Sequence, residues 1–132
     1  MPLLFSILGK KGAGKSELLE NLIHCLTEKG FRVGVIKHLA RPDLEIDEPG
    51  KDTYRYRMQG ARTVILSGRK RLAIFKNVDE ETPLEELLLH YEGFDFVFLE
   101  GYEVDVIQKI EIQDKNEVNV EELPLTLAGE IQ

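Results

Sequence analysis

The sequence predicts an α/β fold in which helices pack on a mostly parallel central sheet. The run 3–8 has the length and composition of a central strand buried on both faces, and 94–99 is a second strongly apolar strand. A glycine-rich loop directly follows the first run and opens an amphipathic helix, after which a second strand, 31–37, is predicted. A strand–helix–strand unit of this kind is the basic element of a parallel sheet.

Hydrophobic spacing and turn residues predict the remaining elements in chain order. After the glycine loop, leucines recur at helical spacing up to Gly30, which is the predicted C-cap of the first helix. A short helix is expected at 51–60, and a third helix is expected to begin at Pro83. The further strands are predicted at 63–66, 72–75 and 106–112, the first two joined by a basic turn.

The composition is that of an ordinary globular domain. The chain has 132 residues, 42% of them hydrophobic and 31% charged, which fits one domain spanning 1–132. A net charge of -7 argues against a broad nucleic-acid-binding surface, so no nucleic-acid partner is expected. Cys25 is the only cysteine, which excludes an intrachain disulfide. We expect a cytoplasmic protein without a membrane partner, because no signal peptide or membrane-spanning run is visible.

Residues 9–16 match the phosphate-binding loop G-x-x-x-x-G-K-[ST] at every position. The glycines allow main-chain N–H groups to turn toward phosphate oxygens. Lys15 is expected to contact the β- and γ-phosphates, and the Ser16 hydroxyl is expected to coordinate Mg²⁺. The predicted nucleotide-binding residues are Gly9, Lys10, Lys11, Gly12, Ala13, Gly14, Lys15 and Ser16. With its strand and helix, this motif predicts the three-layer P-loop NTPase fold and a nucleoside triphosphate as ligand.

A phosphate loop needs a carboxylate at the end of a neighbouring strand to hold Mg²⁺ or to order a water molecule. Glu100 directly follows the apolar run 96–99 and is the best candidate, whereas Asp95 lies at the opposite end of that run. The predicted metal contacts are therefore Ser16 and Glu100, and Lys15 and Glu100 are the predicted catalytic residues. A carboxylate that only marks the solvated end of a strand is the alternative for Glu100.

The segment 47–55 is the other dense polar stretch. Lys51 and Arg55 are four residues apart and would share one face of a helix, where they could bind phosphate or an anionic substrate. Asp47 or Asp52 could contact the metal. Spacing alone favours the simpler interpretation, an exposed helix start with paired charges.

With these motifs in this order, the chain resembles the MobB family of molybdopterin-guanine dinucleotide biosynthesis proteins. The similarity covers about the first 110 residues and is carried by 9–16, 35–38, 49–53 with Arg55, Ala61, Val64, Ser67 and 94–101. The resemblance implies a dimeric P-loop GTPase that binds GTP and Mg²⁺. It also implies an accessory role in attaching GMP to molybdopterin, together with the partner guanylyltransferase MobA.

The resemblance also implies roles for individual residues. Lys37, His38, Lys51, Asp52 and Arg55 become candidates for the active cleft, as substrate- or anion-binding residues. Lys10 falls where some dimeric relatives carry a catalytic lysine that reaches the nucleotide of the other subunit. No Asn/Thr-Lys-x-Asp element for guanine recognition is visible, so the preference for GTP rests on the resemblance alone.

Three functions are consistent with these residues. The first is an accessory protein of molybdenum-cofactor biosynthesis with weak, Mg²⁺-dependent GTPase activity. The second is an ATP-dependent small-molecule kinase or ligase, because the same loop serves those enzymes, although no arginine-rich lid is visible. The third is a binding module without turnover, whose exposed contact residues would be Tyr54, Tyr56, Met58 and Tyr102.

Overall fold

The computed structural model describes residues 2–9, 14–40, 46–47, 50–102 and 108–112. Contacts group the chain into two compact units, Met1–Ala40 with Leu88–Gln132 and Arg41–Leu87. The single-domain organisation predicted from the chain length stays a prediction. The elements are β1 (Leu3–Gly9), α1 (Lys15–Glu28), β2 (Val33–Lys37), α2 (Asp52–Met58), β3 (Thr63–Ser67), β4 (Leu72–Lys76), α3 (Leu84–Leu87), a 3₁₀ turn (Leu88–Tyr91), β5 (Phe96–Glu100) and β6 (Gln108–Ile112).

The first unit is built on a sheet with the strand order β2-β5-β1-β6. β1 pairs in parallel with β5 and with β6, and β5 pairs in parallel with β2. Parallel neighbours cannot be joined by a tight hairpin, so the chain must cross from one end of the sheet to the other between them. α1 provides the crossover between β1 and β2, which lie on either side of β5 in the sheet. The predicted α/β class with a mostly parallel central sheet is confirmed.

A hydrophobic core fixes α1 to one face of this sheet. Each fully buried Leu or Phe side chain stabilises the fold by about 1.5–3 kcal/mol. The C-cap of α1 is Lys29 rather than the predicted Gly30. Gly30 directly follows it with φ +90°, the left-handed conformation that glycine commonly adopts just after a helix. The core side chains come from β1, β5 and α1 and are Phe5, Ile7, Phe96, Phe98, Leu18, Leu19, Leu22 and Leu26.

Tyr91 covers the opposite face of β2. Its ring occupies the space that a side chain at Gly34 would need. Its hydroxyl donates a hydrogen bond to the main-chain oxygen of Val35 at 2.7 Å, and its ring meets Phe94 edge-on at 5.2 Å. Burial raises the pKa of Tyr91 above its usual value. The Tyr91 ring can therefore occupy this position only because Gly34 has no side chain.

The second unit contains α2 and the antiparallel pair β3–β4, which confirms the predicted short helix and strand pair. Its buried residues among those described are polar, Asp47 and Thr53, and the Arg57 side chain is only 9% exposed. Arg57 of α2 donates to the Asp47 carboxylate at 3.1 Å and to the Asn77 side-chain oxygen at 3.2 Å. Its guanidinium carbon also lies 5.6 Å from the ring centre of Phe75. Arg57 thus joins the segment before α2 to the end of β4.

The helix after Pro83 is shorter than expected, because the apolar residues recur at helical spacing as far as Tyr91. The α-helix ends at Leu87, and the chain continues as a 3₁₀ turn to Tyr91. The contacts of Tyr91 with β2, which helical spacing does not reveal, are made directly at the end of this turn. Within the described ranges, no helix is long and apolar enough to cross a membrane. The cytoplasmic location stays a prediction.

Candidate functional site

Predicted site residues end neighbouring strands at one edge of the parallel sheet. Glu100 is the last residue of β5, and the strand registers align it with Ile7 of β1 and with Lys37 of β2. Gly9 ends β1 two residues beyond Ile7. Because the strands are parallel, their carboxyl ends open to the same edge, where open α/β sheets bind their ligands.

α1 begins at Lys15, six residues after Gly9 in the sequence. Gly14 caps the helix with φ +92° and ψ 23°, a left-handed conformation that glycine adopts without steric cost. Its carbonyl accepts a helical hydrogen bond from the Leu18 N–H at 3.0 Å. Lys15 and Ser16 therefore lie in the first turn, where main-chain N–H groups lack helical acceptors and the helix dipole favours an anion. Predicted loop residues outside the described ranges are Lys10, Lys11, Gly12 and Ala13.

Glu100 lies on the face of the sheet that carries α1. Aligned residues of parallel strands point to the same face, and its neighbour Ile7 is buried in the core beneath α1. The four residues before Glu100 are fully buried, whereas Glu100 itself is half-buried. Lys37 shares the same face and is exposed. The structure therefore brings Glu100 and Lys37 to the edge and face where α1 begins.

His38, Gly101 and Tyr102 form a cluster directly after β2 and β5. The His38 N–H donates to the main-chain oxygen of Glu100 at 2.8 Å, which extends the strand pairing by one residue. Gly101 has φ +88°, and a Cβ there would lie 3.3 Å from both the Cβ and the main-chain oxygen of His38. The ring centres of His38 and Tyr102 are 5.2 Å apart. The sequence did not indicate this aromatic contact, because it depends on the pairing of β2 with β5.

The other predicted anion-binding residues lie in the second unit. Lys51 is the N-cap of α2, and Asp52 is its first residue. Arg55 donates to the main-chain oxygen of Gly50 at 2.9 Å and forms an exposed ion pair with Asp52. In the structure, this guanidinium stabilises the turn that opens α2. Anion binding by Lys51, Asp52 and Arg55 stays a prediction.

Asp47 and Arg57 form a buried ion pair, with 4% and 9% of their side chains exposed. The sequence suggested Asp47 as a possible metal contact, whereas the structure shows its carboxylate held by Arg57. The role of Arg57 could not be predicted from local sequence patterns, because its partners are 10 and 20 residues away along the chain. In the part of the chain that the structure describes, no three His, Cys, Asp or Glu side chains are grouped as metal ligands.

Comparisons with known proteins identify relatives of the chain. Residues 4–128 match the family model MobB, molybdopterin guanine dinucleotide synthesis protein B. The molybdopterin-guanine dinucleotide biosynthesis adapter protein of Escherichia coli K12 is 35% identical over 114 residues, which cover 81% of this chain and 63% of that protein. The adapter protein of Haemophilus influenzae is 37% identical over 109 residues, which cover 81% of this chain and 61% of that protein. The chain thus spans less than two thirds of the length of these relatives.

Two solved structures have a fold similar to that of this chain. The crystal structure of Bacillus subtilis MobB has a TM-score of 0.69 at 21% identity, covering 95% of this chain and 73% of that one. A crystal structure of molybdopterin-guanine biosynthesis protein B has a TM-score of 0.68 at 21% identity, covering 97% of this chain and 99% of that one. These similarities support the α/β P-loop-like fold. Since the family model spans nearly the whole sequence, the chain belongs to the MobB family.

Proposed function

We propose that the chain binds GTP and Mg²⁺ through residues 9–16 and assists the attachment of GMP to molybdopterin. The observation that carries this proposal is the arrangement at the carboxyl edge of the sheet. β1 ends at Gly9, α1 begins at Lys15 behind the left-handed Gly14, and Glu100 ends the adjacent strand on the same face. This arrangement supports the proposal, because a triphosphate with a metal ion needs main-chain donors, a cation and a carboxylate near one another.

Each residue has a defined task in this proposal. The N–H groups of the first turn of α1 bind phosphate oxygens, and the Lys15 ammonium neutralises their charge. The Ser16 hydroxyl and the Glu100 carboxylate are oxygen donors of the kind that Mg²⁺ prefers, with phosphate oxygens and water completing its coordination. When bound, Mg²⁺ would neutralise charge that develops on the phosphate oxygens. Slow hydrolysis fits this set of residues, because it contains no evident general base.

The partners in the proposal are the MobA guanylyltransferase, molybdopterin and a second copy of the chain. The relatives in Escherichia coli and Haemophilus influenzae are named adapter proteins of molybdopterin-guanine dinucleotide biosynthesis. An adapter that holds GTP beside a transferase needs slow turnover rather than rapid hydrolysis. In the dimer, Lys10 is proposed to reach the nucleotide of the other subunit, so Lys10→Ala should slow hydrolysis in the dimer only.

The test is a titration of the purified chain with fluorescent GTP and ATP analogues in the presence and absence of Mg²⁺. Lys15→Ala should abolish binding, because it removes the cation that faces the phosphates. Lys29→Ala is the matched control, since Lys29 is an exposed lysine at the other end of α1. Glu100→Gln should weaken binding in Mg²⁺ and leave binding in EDTA unchanged.

The outcomes separate the alternatives. GTP binding that Lys15→Ala abolishes and Lys29→Ala retains supports the proposal, and formation of molybdopterin guanine dinucleotide by MobA should then increase when the chain is added. Preference for ATP would instead favour a small-molecule kinase or ligase. Binding of neither analogue would overturn the assignment of residues 9–16.

A further inference from the structure

The outer face of the β3–β4 pair, formed by Ile65, Leu72 and Ile74, is apolar and exposed. These side chains are 59%, 65% and 50% exposed, and the strand register places them on one side of the pair. The opposite side carries Val64 and Phe75, which are half-buried, and Leu66, which is 49% exposed. Contiguous exposed apolar side chains of this size commonly mark interaction sites.

β3 also presents a main-chain edge. Within the described residues, it pairs only with β4. The Asn77 N–H donates to the Arg62 oxygen at 2.8 Å and the Gly68 N–H donates to the Arg71 oxygen at 2.9 Å, so hydrogen-bonded positions lie at both ends of the pair. Such positions alternate along an antiparallel pair. The β3 residues whose main-chain groups point away from β4 are therefore Thr63, Ile65 and Ser67.

This β3 edge lacks the features that usually protect exposed strands from pairing. Natural edge strands often carry charged residues or proline. Residues 63–67 read Thr-Val-Ile-Leu-Ser and contain neither. An arginine precedes each strand, Arg62 before β3 and Arg71 before β4, but only β4 has a charged residue within the strand, Lys76. An edge without protection is expected where another strand pairs with it in the native assembly.

We propose that β3 pairs antiparallel with β3 of a second copy of the chain, across a twofold axis beside Ile65. This inference rests on the homodimer in the proposed function and assigns its interface. Ile65 is the middle residue of β3, so this register pairs Thr63 with Ser67 of the partner subunit. The two strand pairs become one four-stranded antiparallel sheet, and their outer faces join into one apolar surface.

The charges of the strand pair fit this arrangement. The turn between β3 and β4 carries Arg69, Lys70 and Arg71, whereas Asp79, Glu80 and Glu81 follow β4 at the other end. The 3.1 Å ion pair between Arg62 and Asp79 places that carboxylate at the end away from the turn. Arg62 and Lys76 also lie at this end, so its net charge is -1, against +3 for the turn. Antiparallel pairing puts the basic turn of each copy beside this weakly acidic end of the other. Such self-complementarity is what a twofold interface requires, and it favours a second copy over an unrelated partner.

The proposed interface is small, so we expect the dimer to be weak. Interfaces that bury less than about 1,200 Å² are typical of weak or transient complexes. The line along which β3 of one copy pairs with β3 of the other, called the seam below, involves five residues of each copy. Because such an interface is small, we expect a reversible dimer with a Kd of roughly micromolar order. Sedimentation equilibrium between about one and several hundred micromolar should show a mass that rises from monomer to dimer with concentration.

Disulfide cross-linking tests whether the two copies meet at β3. Ile65→Cys and Ile74→Cys are introduced separately into a Cys25→Ala background, because Cys25 is the only native cysteine. The two positions are directly opposite in the β3–β4 register and similarly exposed, but only Ile65 faces its own copy across the axis. Hydrogen-bonded antiparallel partners have Cα atoms about 5.5 Å apart, within the range of a disulfide. Oxidation should give a covalent dimer of the Ile65 variant and leave the Ile74 variant monomeric on a non-reducing gel.

Lysine substitutions provide a second readout. Ile65→Lys places two ammonium groups opposite each other and should raise the Kd of dimerisation about tenfold or more, since like charges across a seam are strongly unfavourable. Ile74→Lys puts the same charge on the same face away from the seam and should change the Kd much less. Far-UV circular dichroism checks that both variants are folded.

Two results would overturn the inference. A wild-type chain that stays monomeric at several hundred micromolar would exclude the dimer, while GTP binding in the titration above would still support the proposed nucleotide site. Equal weakening by both lysine variants, or equal cross-linking of both cysteine variants, would mean that copies meet through the outer face rather than through the β3 edge.

Discussion

The Tyr91 hydroxyl donates a 2.7 Å hydrogen bond to the main-chain oxygen of Val35, while the Tyr91 ring fills the space above Gly34. This contact joins the segment that follows α3 to β2, 56 residues earlier in the chain. β2 ends at Lys37, which the strand register aligns with Glu100. Tyr91 thus supports the strand that carries one side of the candidate site.

Tyr91→Phe should lower the free energy of unfolding at pH 7 by about 1 kcal/mol, the usual net value of one hydrogen bond. Urea unfolding followed by far-UV circular dichroism measures this change. Tyr56→Phe is the control, because the Tyr56 side chain is exposed and the same loss of a hydroxyl should have little effect. An equal loss in both variants would argue against the role of the Val35 contact.

The same tyrosine predicts a pH dependence. Burial raises the pKa of Tyr91 above its usual value, so the unfolded chain loses this proton before the folded chain does. The contribution of neutral Tyr91 to stability is complete below the unfolded pKa of about 10 and declines as pH rises through the folded pKa. Between pH 9 and 11, the wild type should therefore lose stability more steeply than Tyr91→Phe. Parallel curves for the two proteins would contradict this prediction.

Gly34→Ala should destabilise the fold by about 1–3 kcal/mol, the range for overpacked interiors. A Cβ at this position would overlap the Tyr91 ring and lie 3.3 Å from Phe94. Gly68→Ala is a matched control, because its Cβ would meet only the Arg71 main-chain oxygen at an ordinary 3.5 Å. The combination Gly34→Ala with Tyr91→Leu should recover part of the loss, which urea unfolding can measure.

Two Arg–Asp ion pairs have equal N–O distances but should contribute differently to the free energy of unfolding. Arg57–Asp47 and Arg62–Asp79 both have 3.1 Å N–O distances, but the first pair is buried and the second is 63% and 85% exposed. Asp47→Ala leaves a buried guanidinium without its carboxylate and should cost about 3 kcal/mol or more. Asp79→Ala should cost less than about 1 kcal/mol. Urea unfolding in low and high salt distinguishes the pairs, since only the exposed one is well screened.

Gly101→Ala should weaken binding of GTP with Mg²⁺. Gly101 has φ +88°, so a side chain there costs about 1–3 kcal/mol in strain, and its Cβ would press on His38. Relief of that contact would move the segment that directly follows Glu100. Gly60→Ala is the control, because Gly60 has φ +118° but open space around a Cβ. Loss of stability in both variants, with loss of nucleotide affinity in Gly101→Ala only, is the expected result.

Ser6→Ala should stabilise the protein by about 0.5–1 kcal/mol, because an unsatisfied buried hydroxyl is costly. Ser6 is fully buried in β1, and its hydroxyl has no hydrogen-bond partner among the described residues. Ser67→Ala, at an exposed position of β3, provides the comparison at a concentration low enough to avoid association. A lower unfolding free energy for Ser6→Ala would indicate that the hydroxyl has a partner.

Local patterns in the sequence were enough to predict the elements and their class. The apolar run at 3–8 became β1, the leucine spacing after the glycine-rich segment became α1, and Gly30 follows the C-cap of that helix in the left-handed conformation. These features depend on neighbouring residues, because strand burial, helix amphipathicity and glycine conformation are local properties. The same local reasoning placed Glu100 at a strand end. The family was likewise identified from motifs that are each short.

Contacts between distant segments were decided only by the tertiary structure. No local pattern indicated that β5 lies between β1 and β2. This strand order aligns Glu100 with Lys37 and places Tyr102 beside His38. Local patterns also did not distinguish the buried Arg57 from the exposed Arg55 two residues earlier. Burial of a charge depends on which segments fold over it, and that information is spread over residues far apart in the chain.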